Sequence, residues 1–242
     1  MLETFCDRLR HLCPENFTSS GRQWSSLAQI QAQQALVTAS ELGLLIKADV
    51  TWDRFKHDNS DLHYGTEHVV ESTESGDWVA KITILPAFGL APRLIAHPNV
   101  NLRDDPTVPS YRQAIEFLPA TPIEYLQRWI AAKEVFEDAV RLTSVVQWAD
   151  GLVSFGISQP QYHGEAASPR DIDRYFEASG WTRVRDPGES GHVLYFNYAF
   201  QVLAIDALPR NCYLHDDELL PFDVILSRPD ESLEKFLQLY PD

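Results

Sequence analysis

Seven of the fifteen prolines in this 242-residue chain fall between residues 86 and 122: Pro86, Pro92, Pro98, Pro106, Pro109, Pro119 and Pro122. Each proline fixes φ and removes a backbone donor, so a central strand or a long helix through the segment is excluded. The stretch reads as an irregular excursion with room for one short strand at 111–117. It ends at Thr121-Pro122-Ile123-Glu124, where a cap residue, a proline at the first helical position and an acid three after the cap form a capping box. A helix to residue 138 follows, with Ile123, Leu126 and Ile130 at helical spacing.

Regular elements flank this excursion. Residues 25–42 combine strong helix formers with a serine cap and Gly43 as a stop, which predicts a helix. Residues 66–70 and 78–85, on either side of Glu74-Ser75-Gly76-Asp77, predict a hairpin. Beyond the second helix come strand-like runs at 140–148 and 152–158, a capped helix at 168–179, short strands through 181–226 and a C-terminal helix at 230–239. Strands grouped around one central helix, followed by a second mixed region, predict an α+β fold in two lobes that divide near Gln159-Pro160. The expected organisation is an N-terminal extension at 1–24, a first lobe at 25–160 containing the 86–122 insertion, and a short second lobe at 161–242.

Composition narrows the functional classes. With 44% hydrophobic and 11% aromatic residues the chain can bury a core. A net charge of −15 argues against a sequence-independent grip on nucleic acid and against an anionic membrane surface. The sequence holds no run of about 18 apolar residues and carries charges where a signal peptide needs its apolar region. Cys6, Cys13 and Cys212 form no CxxC pair, which fits a reduced compartment. A cytoplasmic protein is expected. His63 and His68, with Glu67 between them, lack zinc-site spacing, and the glycines and Ser154 of residues 151–156 miss a nucleophile elbow by one position.

The residues that carry chemistry are Asp206 and Asn211, followed twelve residues later by Asp223. Aspartate, asparagine at plus five, a strand and a second aspartate is the spacing of a kinase catalytic loop and its metal aspartate. One carboxylate orients or deprotonates the attacking hydroxyl, while the amide and the second carboxylate hold magnesium on the phosphates. Upstream, Lys81 lies on a strand in Val79-Ala80-Lys81-Ile82-Thr83, one hairpin after Gly65 and before a helix with candidate glutamates. Val79, Lys81 and Thr83 share one face of that strand.

Through these parts the chain resembles the serine/threonine/tyrosine kinase-like domains found in polyvalent proteins of phages and conjugative elements. The resemblance runs through residues 65–69, 79–83, 88–89, 120–126, 158–160, 206–211 and 221–225, and spans roughly residues 27–230. It implies a reduced protein-kinase-like two-lobe fold that binds ATP with magnesium in an interlobe cleft and transfers the γ-phosphoryl group to a hydroxyl acceptor. Position by position, it assigns Gly65 to the phosphate loop, Lys81 to the α- and β-phosphates, and the backbone after Ser158, beginning at Gln159, to the adenine hinge. Asp206 is assigned to the catalytic base, and Asn211 and Asp223 to the magnesium. Glu124 is the candidate partner of Lys81, although its place in the capping box explains it equally well; Glu116 and Glu134 are its rivals.

The chain departs from the kinase pattern at several points. Gly65 stands alone in its loop, Ala204-Ile205 precede Asp206 where kinases carry His-Arg, and Val224-Ile225 follow Asp223 where they carry Phe-Gly. Residues 224–242 leave no room for a peptide-binding helical lobe, so a small-molecule hydroxyl is at least as good an acceptor as a protein. The alternative is a pseudokinase, a nucleotide- or partner-binding module that transfers nothing.

Overall fold

The computed structural model describes residues 1–13, 21–98, 111–216 and 218–240. In chain order the elements are α1 (Leu2–Leu12), α2 (Gly21–Leu42), β1 (Leu45–Lys47), α3 (Trp52–Asp58), β2 (His63–Tyr64), β3 (His68–Ser72), β4 (Trp78–Thr83), β5 (Leu90–Pro98) and β6 (Tyr111–Pro119). They continue with α4 (Pro122–Phe136), β7 (Arg141–Gln147), β8 (Val153–Pro160), β9 (Glu165–Ala166), α5 (Pro169–Ala178), β10 (Thr182–Val184), β11 (Leu194–Asn197), β12 (Val202–Ile205), β13 (Cys212–His215), β14 (Glu218–Pro221), β15 (Ile225–Ser227) and α6 (Glu231–Leu237). The fold is α+β. Two compact units divide it, one formed by Met1–Leu90 with Pro119–Gln161, the other by Ala91–Leu118 with Tyr162–Asp242. Among the described residues no helix is long and apolar enough to cross a membrane.

The first unit is built on a six-stranded sheet of order β1-β7-β8-β4-β3-β2, in which β1 runs parallel to β7 and the other pairs are antiparallel. Period-two alternation gives this sheet two different faces. On one, Val69, Ile82, Ile84, Val146 and Trp148 pack with Trp52 and Phe55 of α3. On the other, Phe155 of β8 is a fully buried hub, with Phe5 of α1 at 6.0 Å, Phe88 at 5.2 Å and Tyr125 of α4 at 6.0 Å between ring centroids. Lys81 pairs with Ile157, and Val79 with Gln159, so these side chains share with Phe155 the face covered by α1 and α4.

Residues 2–12, expected within an N-terminal extension, are an integral helix of this unit. Leu2, Phe5, Cys6 and Leu9 recur at helical spacing and are all buried. Glu3 pairs with Lys133 of α4, and Arg8 with Glu41 of α2 at 3.4 Å. The charged residues of this segment thus lie on the outer face of an amphipathic helix. The elements β1 and α3 also lie in a stretch for which no element is predicted; α3 is capped by the Thr51 side chain, which accepts from the Arg54 N–H at 3.3 Å.

The second unit contains a four-stranded antiparallel sheet, β10-β11-β12-β15, and a smaller sheet of order β14-β13-β9. Leu194, Phe196, Leu203 and Ile205 of the larger sheet pack with Leu233 and Leu237 of α6, and with Ile115 of β6. The excursion is more regular than its prolines suggest: β5 and β6 are nine-residue strands paired as a two-stranded ribbon. Each strand of such a ribbon keeps one edge outside the pairing, where a missing N–H costs no ladder bond, so Pro92, Pro98 and Pro119 are accommodated. Pro106 and Pro109 lie outside the described residues. Residues 91–118, placed by the sequence with the first lobe, are counted in the second unit.

Candidate functional site

In the second unit β12 ends at Ile205, and the chain turns at Asp206 with φ 65°, the left-handed region that side chains other than glycine adopt at a cost. The turn is closed locally: the Leu208 N–H donates to the Asp206 carbonyl and the Asn211 N–H to the Leu208 carbonyl, both at 2.8 Å. Pro209–Asn211 form one 3-10 turn, and β13 begins at once. The Asn211 side-chain amide donates to the Asp206 carbonyl at 2.8 Å and to Asp206 Oδ2 at 3.1 Å. The plus-five spacing therefore reflects a loop that folds back on its first residue.

Asp223 comes to the same end of the structure through the β13–β14 hairpin. Cys212 pairs with Pro221, and one step beyond, the Phe222 N–H donates to the Asn211 carbonyl at 3.1 Å. Asp223, half-buried, follows directly. Phe222 is held between Tyr213 at 4.5 Å and Tyr162 at 6.4 Å, which anchors the backbone that carries the carboxylate. The structure thus brings Asp206, Asn211 and Asp223 to one end of one hairpin.

Arg210 is a participant the sequence did not single out. Its Nη2 donates to both Asp206 oxygens, at 2.8 and 2.7 Å, with its side chain 66% exposed against 17% for Asp206. The four-residue spacing was the available signal, but in a loop it has no fixed geometric meaning. Next to Asn211, burial pushes the Cys212 thiol up to about 12, and the negative charge of Asp206 adds to the effect. Cys212 is a buried free thiol rather than a nucleophile.

The remaining predicted residues lie in the first unit. Gly65 opens the exposed turn between β2 and β3, its N–H donating to the His68 carbonyl at 2.8 Å. Lys81 is 8% exposed, and its ammonium stands 5.3 Å from the centroid of the Trp129 ring on α4. Glu124 completes the capping box: Thr121 accepts from the Glu124 N–H at 3.4 Å, and Glu124 Oε2 accepts from the Thr121 N–H at 2.8 Å. Of its rivals, Glu116 faces His97 at 2.8 Å in the second unit, and Glu134 is exposed on α4. Gln159 is buried in β8, donating from Nε2 to Asp138 Oδ2 at 2.6 Å, with its backbone in register with Val79.

The face covered by α1 and α4 also holds polar groups that the sequence did not reveal. Arg128 of α4 is 3% exposed and donates to Glu67, while His68 Nε2 lies 3.0 Å from the Tyr125 hydroxyl. The sequence shows Ile123, Leu126 and Ile130 at helical spacing on α4. The structure buries Tyr125, Leu126, Trp129 and Ala132, with Ile123 and Ile130 only half-buried, a rotation that turns position 128 inward.

Among the described residues no group of three or more His, Cys, Asp and Glu side chains is gathered as for a metal ion. The hard donors at the hairpin end are the Asn211 amide oxygen and the carboxylates of Asp223 and Asp206, the last already engaged by Arg210. That set is too small for a closed protein cage but suits magnesium, which keeps its waters and takes phosphate oxygens in its other positions. Comparison of the chain with family models, with curated proteins and with solved structures finds no match.

Proposed function

We propose that the chain is an ATP- and magnesium-dependent phosphotransferase of reduced protein-kinase-like fold, acting on a hydroxyl acceptor. The observation that carries the reading is the loop that bonds Asn211 back onto Asp206 and opens into a hairpin ending at Asp223. The order of parts in the first unit supports it: a hairpin, a strand with a buried lysine, a helix, and two strands of which the second pairs with the lysine strand.

In this reading Asp206 accepts the hydrogen bond of the acceptor hydroxyl and takes its proton. The acceptor oxygen forms a bond to the γ-phosphorus as the bond between that phosphorus and the β–γ bridging oxygen breaks, leaving ADP. Asn211 and Asp223 would hold the magnesium ion, whose charge offsets that of the phosphates when bound. Lys81 contributes a cation held in a restricted position by its own burial on β4 and by Trp129. One observation favours the pseudokinase alternative: both oxygens of Asp206 are already engaged by Arg210. Nucleotide binding without turnover is the signature of that alternative.

The test is thermal stability against ATP, with and without magnesium, for the wild type, Lys81→Ala and Asp223→Ala. A ligand at about 100 times its dissociation constant adds roughly 2.7 kcal/mol, or about 5–10 °C at the usual size scaling. A magnesium-dependent shift lost in both variants is expected. No shift at millimolar ATP would overturn the proposal.

A further inference from the structure

Glu67 follows Gly65 by two residues and joins three segments of the first unit. Its backbone carbonyl accepts from the Ile84 N–H at 2.9 Å, which carries the β3–β4 ladder one step past Thr83. Its carboxylate, 12% exposed, accepts from Arg128 on α4, and the same oxygen accepts from the Leu90 N–H at 3.3 Å. Gly89 is fitted to that oxygen: with φ +75°, a Cβ there would stand 2.7 Å from Glu67 Oε2 and 3.1 Å from the Tyr125 ring. The Gly65 turn, the 89–90 segment and α4 thus meet at one carboxylate.

We infer that Glu67 is a positioning residue, with Arg128 as its partner, that fixes the Gly65 turn against α4. The inference rests on the phosphotransferase reading, in which the Gly65 turn covers phosphate. A turn with one glycine has little freedom to mould itself to a ligand, so its approach must be set by the protein around it. A desolvated charge pair is suited to this, since its energy depends steeply on geometry and either charge left alone is strongly disfavoured. The pair also adjoins the lysine: the Arg128 guanidinium lies 5.2 Å from the centroid of the Trp129 ring that Lys81 approaches. The task of tying α4 to the phosphate-binding strands then falls to Glu67 and Arg128, while Glu124 serves the capping box.

The test uses the full chain as wild type, Glu67→Gln, Arg128→Lys and the charge-exchanged pair Glu67→Arg with Arg128→Glu. Amide hydrogen exchange without nucleotide reads the joint, and calorimetric titration with ATP and magnesium reads its consequence. Glu67→Gln is expected to speed exchange at residues 66–69 and 89–90 together, and to weaken ATP roughly tenfold to a hundredfold, the scale of removing an outer-shell partner that orients a binding group. Exchange in β10–β12 should stay unchanged, which separates a local joint from general destabilisation. Partial recovery of both readouts in the charge-exchanged pair would support the positioning role, and Arg128→Lys gives the same two readouts should Glu67→Gln fail to fold. Wild-type ATP binding with unchanged affinity in Glu67→Gln and Arg128→Lys, or loosening of only one of the two segments, would overturn the inference alone. Absence of ATP binding by the wild type would instead remove the phosphotransferase reading and the positioning role with it.

Discussion

Two glycines of the first unit make a controlled pair. Gly89 has φ +75° and is crowded by Glu67 and Tyr125; Gly43, at the end of α2, has φ +70° with nothing within 4 Å of the position a Cβ would take. Alanine at Gly43 meets only the left-handed backbone strain, about 1–2 kcal/mol. Alanine at Gly89 meets the same strain and must also displace its neighbours, which adds about 1–3 kcal/mol when a packed site is overfilled. The Glu67 carboxylate cannot swing aside freely, because moving it breaks its bonds to Arg128 and Leu90. Gly89→Ala is therefore expected to cost about 2–5 kcal/mol in all, exceeding Gly43→Ala by the packing term. Urea unfolding followed by tryptophan fluorescence measures both, since Trp52, Trp129 and Trp148 are buried in the same unit. Equal losses in the two variants, or a Gly89→Ala cost within about 0.5 kcal/mol of zero, would refute the close packing of Gly89 on Glu67.

Other expectations follow from single contacts. Thr121→Ala removes one half of the capping box and should destabilise by about 0.5–2 kcal/mol, while Glu124→Gln should leave ATP affinity unchanged; a large loss of affinity would return Glu124 to the role of lysine partner. Burial pushes the Cys6 thiol up to about 11 and the Cys212 thiol up to about 12, from an ordinary value of 9.0. Neither should react with a disulfide reagent at pH 8 until urea is added, and rapid native labelling would contradict their burial. Because the unfolded thiols ionise first, stability should be unaffected below pH 9 and fall above it, by up to about 1.4 kcal/mol per pH unit for each thiol; a flat profile from pH 9 to 11 would contradict the shifts. Asp206→Ala should abolish turnover while retaining ATP binding, and Arg210→Ala should destabilise by about 1–3 kcal/mol in urea unfolding, because it leaves a carboxylate only 17% exposed without its charged partner. Retained turnover in Asp206→Ala would remove that residue from the chemistry.

Local chemistry made several features legible in the sequence. The Thr121–Glu124 capping box, the α2 and α5 helices, the β3–β4 hairpin and the plus-five loop all depend on residues a few positions apart, whose bonding geometry is fixed by the backbone period. Tertiary structure decided what depends on distant partners. Nothing near Arg128 in sequence says that it turns inward, because its partner Glu67 lies 61 residues away. The α1 helix is charged enough to resemble an appendage, and its Leu2, Phe5, Cys6 and Leu9 stripe becomes part of a core through its neighbours α2, α4 and β8. The prolines of β5 and β6 read as breakers because a proline's effect depends on whether its missing N–H faces a partner strand. That fact belongs to the sheet and not to the residue. Spacing could likewise place an aspartate after a strand, but the hairpin register, Cys212 on Pro221, is what delivers Asp223 to the loop of Asp206 and Asn211.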